Sequence, residues 1–184
     1  LTILLPLAFF VFPASTKSPL DRVPWYDVIL TLSALGISSS LVYFSNEIVD
    51  KGWEYSAPDY MQYLSIALWL LVLEATRRGG GNIVATIIAV VSVYPLFAGS
   101  LPGILEGSTE SIGDTAAFHA LSTESIIGIP FRAFANLVIG FLIFGVALQH
   151  TGGGRFFINL AFALLGHVRG GPAKVAIFAS GLMG

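Results

Sequence analysis

Long stretches of apolar, nearly uncharged residues recur along this chain and constrain its fold more than any other feature. The segments 27–44, 60–75, 82–99 and 131–149 are each close to the roughly 20 residues that a helix needs to cross a bilayer. Only 11% of the residues are charged and 55% are hydrophobic, whereas soluble domains are about 25% charged. A soluble fold would expose large apolar patches. The sequence therefore predicts an all-α protein, a polytopic bundle of transmembrane helices in contact with the lipid bilayer.

Both ends of the chain lie in apolar sequence. Residues 1–12 lack the basic region of a secretory signal, so we interpret them as the tail of a spanning helix. The segment 155–166 is too short for a full crossing, and a further apolar segment begins after Pro172. We expect four complete spans within about five or six membrane segments, in a fragment truncated at both ends.

The basic residues predict the orientation, because Lys and Arg accumulate in cytoplasmic loops. Lys17 and Arg22 mark the first linker as cytoplasmic, and Arg77 and Arg78 return to the same side two spans later. The acidic segments 45–59 and 100–130 then lie outside; the second contains no Lys or Arg.

Two segments do not fit a simple alternation of spans and loops. The outer segment 100–130 is too long for a passive loop, so we expect a short surface helix at 114–121. If 155–168 crossed the membrane fully, Arg169 and Lys174 would come out on the wrong side. A partial crossing, or a helix lying along the interface, removes that conflict.

The composition and the residue pattern exclude several functions. The net charge of −2 gives no basic surface for nucleic acid, and the chain has no cysteine for disulfide or thiol chemistry. His119, His150 and His167 are far apart and form no metal-spaced pair. We find no catalytic residue, metal site or cofactor site, so a membrane-embedded enzyme is disfavoured.

An acidic and two basic residues lie together at the end of the second span. Glu74 precedes Arg77 and Arg78 by three and four residues, so ion pairs on one helix face are possible. The alternative is a basic anchor that only fixes the topology.

Two glycine-rich segments predict breaks between helices. Gly152, Gly153 and Gly154 follow a membrane helix rather than a strand, which favours a sharp helix reversal over a phosphate site. The second segment predicts irregular backbone beside the membrane and contains Arg169, Gly170, Gly171, Pro172 and Lys174. Broken membrane helices are where transporters place substrate and coupling ions; the alternative is an ordinary helix–loop–helix.

Six motifs, in order, resemble the fused permeases of tripartite ATP-independent (TRAP) transporters, over most of residues 60–184 and closest to the TAXI-type branch. They are Glu74-Ala-Thr-Arg-Arg78, Phe97-Ala-Gly-Ser-Leu-Pro-Gly103, Gly128-Ile-Pro130, Phe144-Gly145, Thr151-Gly-Gly-Gly-Arg-Phe-Phe157 and Arg169-Gly-Gly-Pro-Ala-Lys-Val-Ala176. The segment 104–111 departs from the pattern, because the family often has His and Gly-Tyr after Leu-Pro-Gly.

The resemblance implies a multi-pass permease of the bacterial inner membrane that is not an enzyme. Such permeases take small organic anions, carboxylates, from a periplasmic substrate-binding protein and import them on an ion gradient. Sodium is the expected coupling ion, and no other cofactor is implied. The acidic segment 100–130 would suit docking of the binding protein, since complementary charge steers such encounters.

The resemblance also implies a division of the chain and a place for the site. Residues 1–99 would form a scaffold like the small subunit, 100–130 a periplasmic connection, and 131–184 the start of the large, DctM-like transport subunit. Ser180, Gly181 and Gly184 are the positions expected near the ion and substrate site. Its main residues are expected beyond Gly184.

A non-transporting membrane scaffold, or assembly subunit, is the alternative function. Few ionisable residues lie within the predicted spans, whereas such residues usually mark transport pathways.

Overall fold

A computed structural model describes residues 1–14 and 23–183, so Lys17 and Arg22 of the first predicted linker lie outside the described residues. These described residues form helices and turns without a strand, which confirms the predicted all-α membrane bundle. The chain divides into two compact units, Leu1–Ile129 and Pro130–Gly184.

The core of the first unit forms where α1 (Leu4–Val11), α2 (Trp25–Tyr43) and α4 (Asp59–Ser92) pack together. Phe9 from α1, Ala34 from α2 and Leu68 from α4 are each at most 1% exposed. The outer faces carry many exposed Leu, Ile and Val side chains, which suits helices whose solvent is lipid. A short helix, α3 (Ser45–Asp50), follows α2.

Helix α4 folds back on itself at Gly81. This residue has φ 85° and ψ 168°, a backbone region accessible almost only to glycine. Trp69 Nε1 donates a hydrogen bond of 3.2 Å to Ser92 Oγ, although a straight helix would separate these residues by about 35 Å. Residues 59–80 therefore form a first limb of α4 and residues 82–92 an antiparallel second limb.

The predicted third span, 82–99, is wrong in its extent. The helix ends at Ser92 and gives way to 3₁₀ turns at Tyr94–Leu96, Ala98–Ser100 and Gly103–Leu105. Pro95 explains this end, because proline lacks the backbone N–H that would continue the helix. The first limb, conversely, extends to residue 80, five residues past the predicted end of the second span at residue 75. Among the described residues, three segments are long and apolar enough to cross a membrane, namely Trp25–Tyr43, Asp59–Leu96 and Ile129–His150, where we expected four complete spans. The second of these segments contains both limbs of α4, so the predicted second and third spans both begin within it.

The helix predicted at 114–121 exists, and one of its sides is buried. It is α5 (Ile112–Leu121), and its first turn is capped by Ser111 Oγ, which accepts a hydrogen bond from Asp114 N. Ala116, Ala117 and Ala120 are fully buried against α4. Small side chains allow this close approach, which the polar residues around them concealed in the sequence.

The second unit begins with one continuous helix, Ile129–His150, which confirms the predicted span 131–149. It comprises α6 (Ile129–Ala133), a π-helical turn (Phe134–Val138) and α7 (Ile139–His150). Two shorter helices follow, α8 (Gly153–Leu165) and α9 (Gly171–Met183). They pack against each other through Ala161, Val175 and Ala179.

Candidate functional site

Glu74, Arg77 and Arg78 form ion pairs on one face of the first limb of α4. The Glu74 carboxylate accepts hydrogen bonds of 2.7 Å from both Nε and NH2 of Arg77, and one of 2.8 Å from Arg78 Nε. Arg77 NH2 also donates to the carbonyl oxygen of Ala14 at 3.2 Å. The motif therefore does more than anchor the helix end, because it also holds the chain that follows α1.

Asp27 completes this cluster and is not among the residues predicted from the sequence. Arg78 NH1 lies 2.7 Å from Asp27 Oδ1, and the two side chains are only 1% and 3% exposed. Arg78 NH1 also donates to Phe12 O at 3.3 Å, and the guanidinium lies 5.1 Å from the centre of the Phe9 ring. A single buried arginine thus joins α1, α2 and α4. The signal was available, because Asp27 begins a predicted span on the same side of the membrane as Arg78.

Counted over the described residues, the cluster is electrically neutral, with two carboxylates and two guanidinium groups. Each charge lies within 2.8 Å of an opposite one, so none is left to attract a substrate or an ion. The cluster therefore acts as a structural clamp that holds α1, α2 and α4 together.

The first glycine-rich turn separates α7 from α8. Gly152 has φ 82° and ψ 10°, the left-handed conformation that glycine adopts without strain. Gly153 and Gly154 begin α8, and a Cβ on Gly153 would collide with the Leu148 side chain.

The second glycine-rich turn is shorter than expected. The irregular backbone centres on Gly170, with φ 74°, and α9 is regular from Gly171 onwards. A Cβ on Gly171 would lie 2.6 Å from Gly166 O, so this close approach requires glycine. Arg169 and Lys174 are exposed on either side of the turn.

Ser180 and Gly181 lie on α9, whereas Gly184 lies outside the described residues. Ser180 lines an open groove of about 490 Å³ between α8 and α9. Pro172 shares that groove, but Gly181, Arg169 and Lys174 do not line it. The other lining residues are apolar: Ile158, Phe162, Val175, Ala176 and Ala179. Within the described part of the chain, the groove offers one hydroxyl on an apolar wall.

His119 has a structural environment. Its Nε2 lies 2.8 Å from Ser92 O and its Nδ1 lies 3.3 Å from Ser125 Oγ. Since a carbonyl only accepts, Nε2 carries the proton. The ring also packs on Trp69, with 5.3 Å between the ring centres. His150 and His167 are exposed, and no group of three or more potential metal ligands occurs among the described residues.

These features define an all-α membrane protein whose described residues form two helix hairpins, one in each unit. Residues 67–184 match the family described as the tripartite ATP-independent periplasmic transporter, DctM component. The match covers well over half of the chain, and the chain therefore belongs to this family of transporter membrane components. It begins within the first limb of α4, inside the range 1–99 that we assigned to a small-subunit-like scaffold. Comparison with curated proteins and with solved structures found no match.

Proposed function

We propose that the protein is the permease of a TRAP transporter that imports small organic anions, namely carboxylates, across the bacterial inner membrane. A periplasmic binding protein delivers the substrate, and an inward sodium gradient drives uptake. Membership of the DctM family is the observation that carries this proposal. The TAXI-type branch and the fusion of a small-subunit-like segment (1–99) to a transport subunit (131–184) through 100–130 belong to the same proposal.

The distribution of charge in the first unit supports the proposed orientation. The first limb of α4 is about 33 Å long, which matches the hydrocarbon core of a bilayer. Arg77 and Arg78 lie near Gly81 at one end of the α4 hairpin, and the acidic segments around Glu54 and Glu110 lie at the other end. The positive-inside rule then places the acidic end in the periplasm, where a binding protein would dock.

The hairpin of α8 and α9 supports a transport site in the second unit. Each helix has 13 residues, about 20 Å, which is too short to cross the membrane. Short, broken helices at membrane depth are tolerated where they line a cavity, and transporters bind substrate and ions at such breaks. Ser180 would contribute its hydroxyl, and Gly181 and Gly184 would lie beside the site.

Reconstitution tests the proposal. The permease in proteoliposomes, supplied with its binding protein, should accumulate labelled carboxylate when sodium is high outside, and should not when a proton gradient replaces it. Ser180→Ala should slow uptake about tenfold if the hydroxyl binds a charged group. Ser39→Ala, at an exposed position of α2, should leave uptake unchanged. Equal rates for both variants would contradict the proposed site.

A non-transporting scaffold remains the second candidate, and the neutral cluster favours it. Among the described residues, Asp27, Glu74, Arg77 and Arg78 pair only with one another or with backbone, so this cluster offers no free charge to mark an ion pathway. This alternative predicts that the permease folds and binds its partners but accumulates no carboxylate under any gradient.

A further inference from the structure

A second cavity lies in the first unit, at the end of the α4 hairpin remote from Gly81. Its volume is about 270 Å³. The acidic, aromatic and hydroxyl residues of its wall come from the segment after α3, from the segment before α5, and from α5 itself: Glu54, Tyr55, Glu110, Asp114, Thr115 and Phe118. His119 also lines the cavity, and its two ring nitrogens lie against Ser92 O and Ser125 Oγ. Nothing in the family match assigns a role to this cavity.

The cavity wall carries uncompensated negative charge. Glu54 and Glu110 make no side-chain hydrogen bond or ion pair among the described residues, and Asp114 accepts only from Ser111 and Gln62. No Lys or Arg occurs between residues 79 and 131. Lys51 is already paired with Glu47, because its Nζ lies 2.6 Å from Glu47 Oε2, and this hydrogen bond raises the pKa of Lys51.

Thr115 provides an independent indication of a ligand. It lines the cavity, is 3% exposed, and its Oγ1 has no hydrogen-bond partner in the described structure. Other helical threonines of the chain donate to the carbonyl oxygen four residues earlier; they are Thr31, Thr76, Thr86 and Thr151. A buried hydroxyl without a partner is unfavourable, so this one is available to a group that enters the cavity.

The aromatic residues of the wall suit a flat cation. Tyr55 and Phe118 lie with ring centres 6.1 Å apart and planes tilted by 46°, and cations bind favourably over such rings. A guanidinium is planar and has five N–H donors, so it can reach carboxylates and a hydroxyl while one face packs on a ring. An ammonium lacks that face.

We propose that this cavity binds the guanidinium of an arginine side chain presented by the periplasmic binding protein. The inference rests on the proposed function for the identity and the side of the partner. Charge complementarity is one reason for this assignment. A second reason is that the same outer segments carry exposed apolar side chains. Tyr55 is 71% exposed, Leu105 59% and Ile112 57%, and such residues form the desolvated surround of an interface anchor.

The cavity itself is tested with small probes on the full permease in nanodiscs. Nα-acetyl-arginine amide should bind, whereas the nearly isosteric, uncharged Nα-acetyl-citrulline amide should not. Glu54→Gln with Glu110→Gln should weaken arginine-amide binding about tenfold or more. Glu106→Gln with Glu124→Gln makes the same change in net charge at exposed positions outside the cavity and should have no effect. Equal losses in both pairs would overturn the site.

Thr115→Val separates binding from folding. Valine has nearly the same shape and removes a hydroxyl that lacks a partner, so the thermal stability of the empty permease should not fall. Binding of arginine amide should weaken several-fold, because the cation loses an acceptor. A stability loss with unchanged probe affinity would show that the hydroxyl has only a structural role, and would overturn its place in the site.

The partner is tested by biolayer interferometry of the binding protein on permease nanodiscs. Arginine amide should compete with docking, citrulline amide should not, and the Glu54/Glu110 pair of substitutions should weaken docking while the Glu106/Glu124 pair does not. If docking resists both the competitor and the substitutions while uptake proceeds, the inference is wrong and the transport function stands. Absence of carboxylate uptake under every gradient would instead refute the proposed function.

Discussion

Replacing Arg78 by methionine removes the side chain that joins α1, α2 and α4. The guanidinium lies 2.7 Å from Asp27 and 2.8 Å from Glu74, so its loss affects both carboxylates. They are not affected equally. Glu74 is 29% exposed at its side chain and keeps Arg77, whereas Asp27 is 3% exposed and, among residues 1–14 and 23–183, has no other cation within ion-pair distance.

The expected cost follows from that difference in burial. Breaking a buried ion pair from one side leaves an unpaired charge and costs about 3–5 kcal/mol. Arg77→Met is the matched control, because its pair with Glu74 is exposed by 38% and 29%. Pairs that exposed contribute about 0–1 kcal/mol. The two neighbouring substitutions should therefore differ by a few kcal/mol.

The measurement is the free energy of unfolding in mixed micelles, titrated with SDS and followed by far-ultraviolet circular dichroism. Arg78→Met combined with Asp27→Leu removes both buried charges and should recover most of the loss, since apolar replacements of a whole buried pair are often neutral. If Arg78→Met costs no more than Arg77→Met, or if the double variant is no more stable than the single one, the clamp does not work as argued.

Two further predictions concern the packing of the α4 hairpin and use the same unfolding measurement. Gly81→Ala should lower the free energy of unfolding by about 1–3 kcal/mol, because φ 85° with ψ 168° is strained for any residue with a Cβ. The control is Gly36→Ala in α2, where a Cβ meets open space; it should be neutral or stabilising by about 0.5–1 kcal/mol. A tolerated Gly81→Ala would mean that the chain does not reverse there. Ala117→Leu should lower the free energy of unfolding by about 1–3 kcal/mol, because Ala117 is 0% exposed between α5 and α4 and overpacking forces side chains apart. An unchanged stability would mean that this side of α5 is not buried.

The sequence predicted those elements of the fold that depend on local patterns. Apolar length located α2 and the helix Ile129–His150, and the glycine run at 152–154 located the break between α7 and α8. The errors arose where tertiary packing decides. The predicted span 82–99 runs through Pro95, whereas the helix ends at Ser92, and the buried side of α5 is formed by alanines that carry little hydropathy signal.

Less of the candidate site than of the fold could be predicted from the sequence. The pairing of Glu74 with Arg77 and Arg78 is local, at three and four residues, and could be predicted. The contact between Asp27 and Arg78 joins residues 51 positions apart, and no periodic pattern encodes such a pair. The cavity around Thr115 likewise assembles from separate segments, whose acidity was visible but whose convergence required the fold. For Ser180, the sequence indicated a place on α9 but not the groove that it lines.

The proposed transport function is tested most directly by the initial rate at which labelled carboxylate enters proteoliposomes that contain the permease, with the binding protein outside. Uptake should require the binding protein and an inward sodium gradient, and it should stop when the gradient is abolished. Uptake that is independent of the binding protein, or no uptake under a sodium gradient with a correctly folded permease, would contradict it.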